Sequence, residues 1–253
     1  MTGLVVARAD GVARVTLARP PLNVLTPDLI GTLDTAVRGV AAEAGVRVVV
    51  LAGEGRAFSA GVDVRTMRDL DPAGARAFIQ RLRAAIAAIE SLPVPTIARL
   101  HGHALGGALE LALGCDLRIA AASCRLGMPE VGVGIPSVIH AVLLPGLVGW
   151  GRAAELLLGG ESIDAVQAER WGLVNRAVPE AELDAEVARW VDRFLTLPAE
   201  AVRLQKALLA RWRRTDLDTA MTESVDAFAR AYTTGEPRAA MDRFLAAGRS
   251  RAE

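Results

Sequence analysis

The chain has 253 residues, which is enough for one large hydrophobic core or two small ones. Hydrophobic residues make up 52% of it and charged residues 23%, a balance typical of soluble globular proteins. Basic and acidic side chains both number 29, so there is no net charge that would favour binding to nucleic acid or to an anionic membrane.

The first residues predict a β-hairpin followed by a helix. Two β-type runs, Leu4–Ala7 and Val12–Leu17, flank Asp10-Gly11, a dipeptide typical of tight turns. Thr26 and Pro27 have the residue types of a helix N-cap and first turn. Arg and Asp interrupt the apolar run that an export signal needs, and two cysteines do not make a disulfide framework. We therefore expect a cytoplasmic protein.

Strand and helix patterns then alternate through the first 150 residues. Continuous apolar runs predict strands buried on both faces, and helical periodicity recurs between them. The predicted elements are a strand at Val46–Leu51, a helix with apolar side chains from Phe78 to Ile89, a strand at Thr96–Leu100, a short helix at about 107–114 and a strand at Leu117–Ala121. Such alternation predicts an α/β fold with a largely parallel sheet. After about residue 150 helical patterns dominate.

Residues 131–151 contain no Asp, Glu, Lys or Arg, and they approach the length of a membrane span. Two prolines, five glycines and His140 interrupt this run. The interruptions favour a loop, helix and turn buried in protein, and we expect no membrane-spanning segment.

Two glycine-containing segments follow predicted strands, where α/β folds build sites. Gly106 and Gly107 lie between a strand and a short helix, so the first amides of that helix are free to stabilise a developing oxyanion. Residues 53–64, GEGRAFSAGVDV, offer a second amide near 60–62. Taken alone, each segment is better explained as an ordinary tight turn, because short glycine motifs are common.

Two glutamates accompany these segments. Glu110 lies one turn into the short helix, among leucines. Glu130 stands between Pro129 and Val131 in a nearly uncharged stretch. Apolar surroundings would raise the pKa of the Glu130 carboxyl and let it hold a proton near neutrality. The alternatives are a solvent-facing Glu110 and a loop Glu130 paired with a cation such as Arg125.

Together these elements resemble the enoyl-CoA hydratase/isomerase (crotonase) superfamily. The motifs are RP at 19–20, NVL at 23–25, FSAGVD at 58–63, HGHALGGALELALGCD at 101–116, PE at 129–130 and RAAELLLGGESIDAVQAERWGLVNRAVP at 152–179. They extend over almost the whole chain, and the spacing of the two glutamates matches the hydratase pattern. The resemblance implies a ClpP/crotonase-like α/β fold of repeated ββα turns, with a spiral core over 1–194 and a helical oligomerisation segment over 195–253.

The resemblance also implies roles for single residues. The backbone amides of Val62 and Gly107 would form an oxyanion hole for the thioester carbonyl. Glu110 would activate the water that attacks C3, and Glu130 would supply the proton at C2. The residues that would hold coenzyme A and substrate are Phe58, Ala60, Gly61, Asp63, Val64, Arg65 and Gly106. For Arg65, a solvated surface charge is an equally good interpretation.

The implied reaction is the reversible syn addition of water to a 2-enoyl-CoA, in a homotrimer or homohexamer. It needs no metal and no cofactor beyond the coenzyme A of the substrate. A double-bond isomerase, a hydrolase or decarboxylase, and an RNA-binding relative are the alternatives. The two glutamates favour hydration, and the balanced charge argues against RNA.

One stretch departs from the family pattern. Many hydratases have a glycine-rich segment where this chain has Ser137, Val138, Ile139 and His140. We expect these larger side chains to line the acyl pocket and to reshape it; the alternative is that Val138 and Ile139 point into the core and leave the pocket unchanged. Crotonyl-CoA would then be a poorer substrate than a branched, aromatic or functionalised enoyl-CoA.

Overall fold

A computed structural model describes residues 3–249. The predicted hairpin is present, because β1 (Leu4–Ala9) and β2 (Val12–Leu17) pair in antiparallel register. Asp10 and Gly11 both adopt positive φ, at 50° and 80°, which closes the turn between the two strands.

The remaining strands complete two sheets. They are β3 (Val48–Gly53), β4 (Thr96–Leu100), β5 (His103–Leu105), β6 (Leu117–Ala121), β7 (Arg125–Gly127), β8 (Ser162–Asp164) and β9 (Arg176–Val178). The main sheet has the order β1-β2-β3-β4-β6-β9, and the smaller sheet has the order β5-β7-β8. From β2 onwards every neighbouring pair in the main sheet is parallel, as the alternating pattern predicted. Strands β8 and β9 were not predicted, because three residues are too few to show a periodic pattern.

Helices cover the sheets and make up the end of the chain. They are α1 (Pro27–Ala41), α2 (Val64–Arg68), α3 (Pro72–Glu90), α4 (Gly107–Leu113), α5 (Leu144–Val148), α6 (Trp150–Gly159), α7 (Ala165–Trp171), α8 (Leu183–Thr196), α9 (Ala199–Trp212), α10 (Leu217–Ala231) and α11 (Glu236–Arg249). The Thr26 hydroxyl caps α1 by accepting a hydrogen bond from the Leu29 amide, as predicted. The uncharged stretch 131–151 contains turns and short helices, and no helix within residues 3–249 could cross a membrane.

The two glycine-containing segments lie against each other beside the sheets. The Phe58 amide donates to the carbonyl of His101, and the Ser59 amide donates to the carbonyl of His103. A Cβ on Gly102 would lie 2.0 Å from the carbonyl oxygen of Arg56, so only glycine permits this close approach. The loops after β3 and β4 therefore form one continuous surface, on which the candidate site is built.

The C-terminal helices are attached to the core through buried and partly buried charges. Lys206 on α9 is buried, and its Nζ donates to Asp116 Oδ2 and to the Val94 carbonyl at 2.8 and 2.7 Å. Arg99 on β4 forms a two-pronged ion pair with Asp184 on α8. The predicted boundary at residue 195 falls at the end of α8, and the division into core and oligomerisation segment stays a prediction.

Candidate active site

A cavity of about 580 Å³ opens between the two glycine-containing loops, helices α2 and α3, and the segment that follows β7. Apolar side chains form most of its wall. Among the described residues, the charged side chains that line it are Arg76, Glu110 and Glu130. Residues 3–249 contain no group of three or more His, Cys, Asp or Glu side chains that could hold a metal ion.

The backbone amides of Val62 and Gly107 lie beside this cavity. Gly61 has a φ of +94°, and a Cβ there would lie 2.6 Å from the carbonyl oxygen of Leu105 and 4.0 Å from the amide nitrogen of Gly107. Leu25 and Val62 form an isolated parallel bridge, in which the Leu25 amide donates to the Gly61 carbonyl and the Asp63 amide donates to the Leu25 carbonyl. The Val62 amide takes no part in this pairing. Gly107 begins α4, so its amide has no acceptor within the helix. Within residues 3–249 neither amide has an acceptor, and both lie beside the cavity.

Glu110 lies one turn into α4, which is buried along its whole length. Its side chain is 3% exposed, and Oε1 accepts a hydrogen bond of 3.1 Å from the Ala141 amide. Burial raises the pKa of the Glu110 carboxyl to about 8; the Ala141 amide opposes this increase, and the nearby charge of Glu130 adds to it. The solvent-facing interpretation of Glu110 is therefore wrong. The sequence did not predict this raised pKa, because the burial of α4 depends on segments that are distant along the chain.

Glu130 lies on a 3-10 turn at Pro129–Val133 and is half-buried. Its Oε2 accepts a hydrogen bond of 2.8 Å from the Ser137 hydroxyl. Its Oε1 lies so close to the backbone of Gly106 that a Cβ there would be only 2.3 Å away. Arg125 contacts Ser162 instead, so the interpretation of Glu130 as the partner of Arg125 is wrong.

The residues predicted to hold coenzyme A and substrate divide into two groups. Four of them line the cavity: Ala60, Gly61, Val64 and Gly106. Phe58 does not line it and is fully buried in the hydrophobic core. Asp63 caps α2 by accepting a hydrogen bond from the Arg65 amide, and the Arg65 side chain is exposed outside the cavity wall. A binding role for these three residues stays a prediction.

The departing segment 137–140 reaches the cavity only in part. Ser137 and Val138 line it. Ile139 packs against the hydrophobic core, and the Nε2 atom of His140 lies 3.8 Å from Glu90 at the end of α3. The expectation that all four side chains line the acyl pocket is therefore wrong for Ile139 and His140.

Helix α3 supplies part of the cavity wall, which the sequence did not predict. Phe78, Ile79 and Leu82 line the cavity, as does Arg76 in the first turns of the helix. The apolar stripe of α3 was visible in the sequence, but a stripe that packs in the core and one that faces a ligand have the same periodicity. Arg76 carried no signal, because one arginine among many on exposed helix faces is indistinguishable from a solvated charge.

Comparison with known sequences gives consistent results. The sequence pattern of the family described as enoyl-CoA hydratase/isomerase matches residues 7–250. The chain is 37% identical over 245 residues to a crotonyl-CoA hydratase of Syntrophomonas wolfei, covering 96% of this chain and 94% of that protein. It is 33% identical over 248 residues to a short-chain-enoyl-CoA hydratase of Clostridium acetobutylicum, with coverage of 97% and 95%.

Solved structures give the same result for the fold. An enoyl-CoA hydratase of Mycobacterium smegmatis superimposes with a TM-score of 0.93 at 33% identity, covering 96% of each chain. The crotonase fold predicted from the motifs is thereby confirmed.

Proposed function

The chain belongs to the enoyl-CoA hydratase/isomerase family of the crotonase superfamily of enzymes, and from this premise we propose that it catalyses the reversible syn addition of water to a 2-enoyl-CoA thioester. One observation carries the proposal. Two carboxyls, Glu110 and Glu130, line the same cavity as the amides of Val62 and Gly107, neither of which has an acceptor within residues 3–249. Such a cavity can polarise a thioester and move protons at its acyl carbons.

The two amides act on the carbonyl of the thioester. When water adds at C3, negative charge develops on the carbonyl oxygen as an enolate. Hydrogen bonds from Val62 and Gly107 stabilise this charge in a cavity with apolar walls, where such bonds are stronger than in water. Because the amides belong to the backbone of two interlocked loops, they are oriented before substrate binds.

The two carboxyls divide the proton transfers. In the ionised state, Glu110 accepts a proton from the attacking water, and Glu130 in the protonated state donates one to C2. The pair therefore has to carry one proton between them. Two negative charges in one cavity repel each other, which favours this singly protonated state. Burial favours the proton on Glu110, so it has to pass to Glu130 before water attacks.

Substitution of either carboxyl tests the proposal. Glu110→Gln and Glu130→Gln should each lose about 10²-fold or more in hydration, because general acid–base groups typically contribute that much. Hydration is followed by the loss of the conjugated absorbance in a panel of straight-chain, branched and aromatic enoyl-CoA thioesters. Binding of a saturated acyl-CoA should survive in both variants.

Glu155→Gln provides the matched control, because Glu155 is an exposed glutamate on α6 away from the cavity. It should hydrate like the wild type. A wild type that hydrates no member of the panel would contradict the proposal. If Glu110→Gln leaves double-bond migration fast, the activity is that of an isomerase, which needs a proton shuttle but no activated water.

A further inference from the structure

The segment that departs from the family pattern connects the two carboxyls. At one end, the Ser137 hydroxyl donates to Glu130 Oε2 at 2.8 Å, and four residues later the Ala141 amide donates to Glu110 Oε1 at 3.1 Å. We propose that Ser137 is a positioning residue, which holds the Glu130 carboxyl against the turn at Gly106 and Gly107 for proton transfer at C2. This inference rests on the proposed function and adds a side chain to it.

The Glu130 carboxyl is held from two sides. Its Oε1 lies against the backbone of Gly106, where a Cβ would be only 2.3 Å away, and its Oε2 accepts a hydrogen bond from the Ser137 hydroxyl. Gly106 precedes Gly107, whose amide would donate a hydrogen bond to the thioester oxygen. The carboxyl therefore lies beside the position of the carbon next to the thioester carbonyl. A shift away from this position would lengthen the path of the proton.

Ser137 is the side chain that donates to Glu130. Within residues 3–249 no arginine, lysine or histidine forms an ion pair with Glu130, and Arg125 is directed at Ser162. A negative charge on Glu130 is thus stabilised by a neutral donor. Hydrogen bonds to ionised groups are about twice as strong as those between neutral groups. The Ser137 hydroxyl is therefore the contact that anchors the Glu130 side chain.

The backbone places the Ser137 hydroxyl before substrate binds. The Ile135 amide donates to the Glu130 carbonyl, so the chain loops back on itself ahead of Ser137. On the other side, Ile139 packs against the core with a φ of 38°, a conformation that β-branched residues rarely adopt. The backbone is therefore held on both sides of Ser137, by the Ile135 hydrogen bond and by the packing of Ile139, and this fixes the position of the Ser137 hydroxyl.

Proton transfer at C2 depends on the position of the Glu130 carboxyl. During hydration, the O–H bond of Glu130 and the C2–C3 π bond break, a C2–H bond forms, and the water oxygen bonds to C3 while its proton goes to Glu110. The hydrogen bond from Ser137 keeps the Glu130 carboxyl beside C2 during this transfer. An interaction that orients a reacting group raises kcat and has little effect on KM.

Kinetics of hydroxyl-free and hydroxyl-retaining variants provide the first test. Ser137→Ala should lower kcat roughly tenfold or more, with KM nearly unchanged, because the Glu130 carboxyl is no longer held beside C2. Hydration and dehydration should fall by the same factor. Ser137→Thr, which keeps the hydroxyl, should restore kcat. Ser91→Ala, which removes a hydroxyl outside the cavity, should match the wild type.

A second measurement does not depend on activity. Crystal structures of the wild type and of Ser137→Ala give the position of the Glu130 carboxyl. The carboxyl should lie against Gly106 in the wild type and in Val138→Ala, which alters the cavity wall alone, and it should leave this position in Ser137→Ala. A Glu130 carboxyl that stays in place in Ser137→Ala, or a Ser137→Ala variant that alters only KM, would overturn the proposal. If the wild type hydrates nothing, the proposed function fails, while the structures still decide the role of Ser137.

Discussion

The free energy of burying Glu110 depends on pH. The pKa of this carboxyl is raised from 4.5 to about 8 by burial, so the folded protein keeps a proton that the unfolded chain releases. Below pH 4.5 Glu110 is protonated in both the folded and the unfolded state, so its ionisation does not lower the free energy of unfolding. Between pH 4.5 and about 8 the folded state binds more protons than the unfolded state, and the free energy of unfolding therefore falls as pH rises.

Glu110→Gln should remove this dependence. Relative to the wild type, the variant should gain a few kcal/mol of stability, to order of magnitude, between pH 5 and pH 8. Urea unfolding at several pH values and one protein concentration measures the difference. Glu155→Gln is the control and should run parallel to the wild type. Parallel curves for Glu110→Gln would show that the folded protein does not hold the proton.

The same proton sets the upper pH limit of the proposed activity. The pair of carboxyls needs one proton, and Glu110 releases its own near pH 8. We expect kcat/KM for hydration to fall above about pH 8, because the doubly ionised pair has no proton to give to C2. Initial rates from pH 6 to pH 10 test this, with the substrate below its KM. A profile that stays level to pH 10 would contradict it.

Single positions could be predicted from the sequence, but their environments could not. The two glutamates and the two glycines were identified from their order and spacing, and all four line the cavity. Whether Glu110 is buried depends on how α4 packs under distant segments, which no local pattern encodes. Ile139 and Val138 are both apolar, yet one packs in the core and the other faces the cavity. Ile139 also has a positive φ of 38°, a property of the folded backbone that no local pattern encodes.

At the scale of elements, one asparagine holds the loop after β3. Asn23 is fully buried, and its Nδ2 donates to the carbonyls of Glu54, Ala57 and Phe58 at 2.7, 2.8 and 3.1 Å. Its Oδ1 accepts a hydrogen bond from the Arg19 amide. These bonds attach the loop that carries the proposed oxyanion amide to the turn that follows the hairpin. The sequence contained this asparagine within a family motif but gave no reason for it.

Asn23→Ala should therefore destabilise the protein by about 2 kcal/mol or more, because it leaves buried polar groups unpaired. Turnover should fall as well, since the loop that carries Val62 loses its attachment. Asn175→Ala is the matched control: Asn175 accepts a hydrogen bond from the Arg118 amide away from the cavity. Denaturant unfolding and turnover of both variants are compared with the wild type. Equal losses in the two variants would contradict a special role for Asn23 in the site.

The sequence predicted well those helices and strands that have a long helical periodicity or a continuous apolar run. The hairpin, α1, β4 and β6 lie within a few residues of their predicted positions. The three-residue strands β5, β7, β8 and β9 were not predicted as strands, because at that length pairing is decided by neighbours and not by propensity. Helices do predominate after residue 150, as predicted, but β9 also lies in this region and pairs with β6 at the edge of the main sheet.

At the scale of the whole molecule, the order of motifs was sufficient to predict the fold, and the surface of the folded chain bears on its assembly. Large apolar side chains stand on the surface of the C-terminal half. Trp150 and Leu158 on α6 are 81% and 79% exposed, and Phe228 on α10 and Phe244 on α11 are 69% and 80% exposed. Apolar side chains at this density on one half of a chain are typical of surfaces that another subunit covers.

We therefore predict a homotrimer or homohexamer, as the family resemblance implied. Sedimentation at micromolar concentration should show one of these species, because covering several large apolar side chains gives closed assemblies their stability. Phe228→Glu should shift the distribution towards monomer, since association would bury an unpaired carboxylate. Val5→Glu changes a half-exposed apolar residue on the hairpin and should leave the assembly intact. A stable wild-type monomer, or equal behaviour of the two variants, would contradict an interface formed by the C-terminal helices.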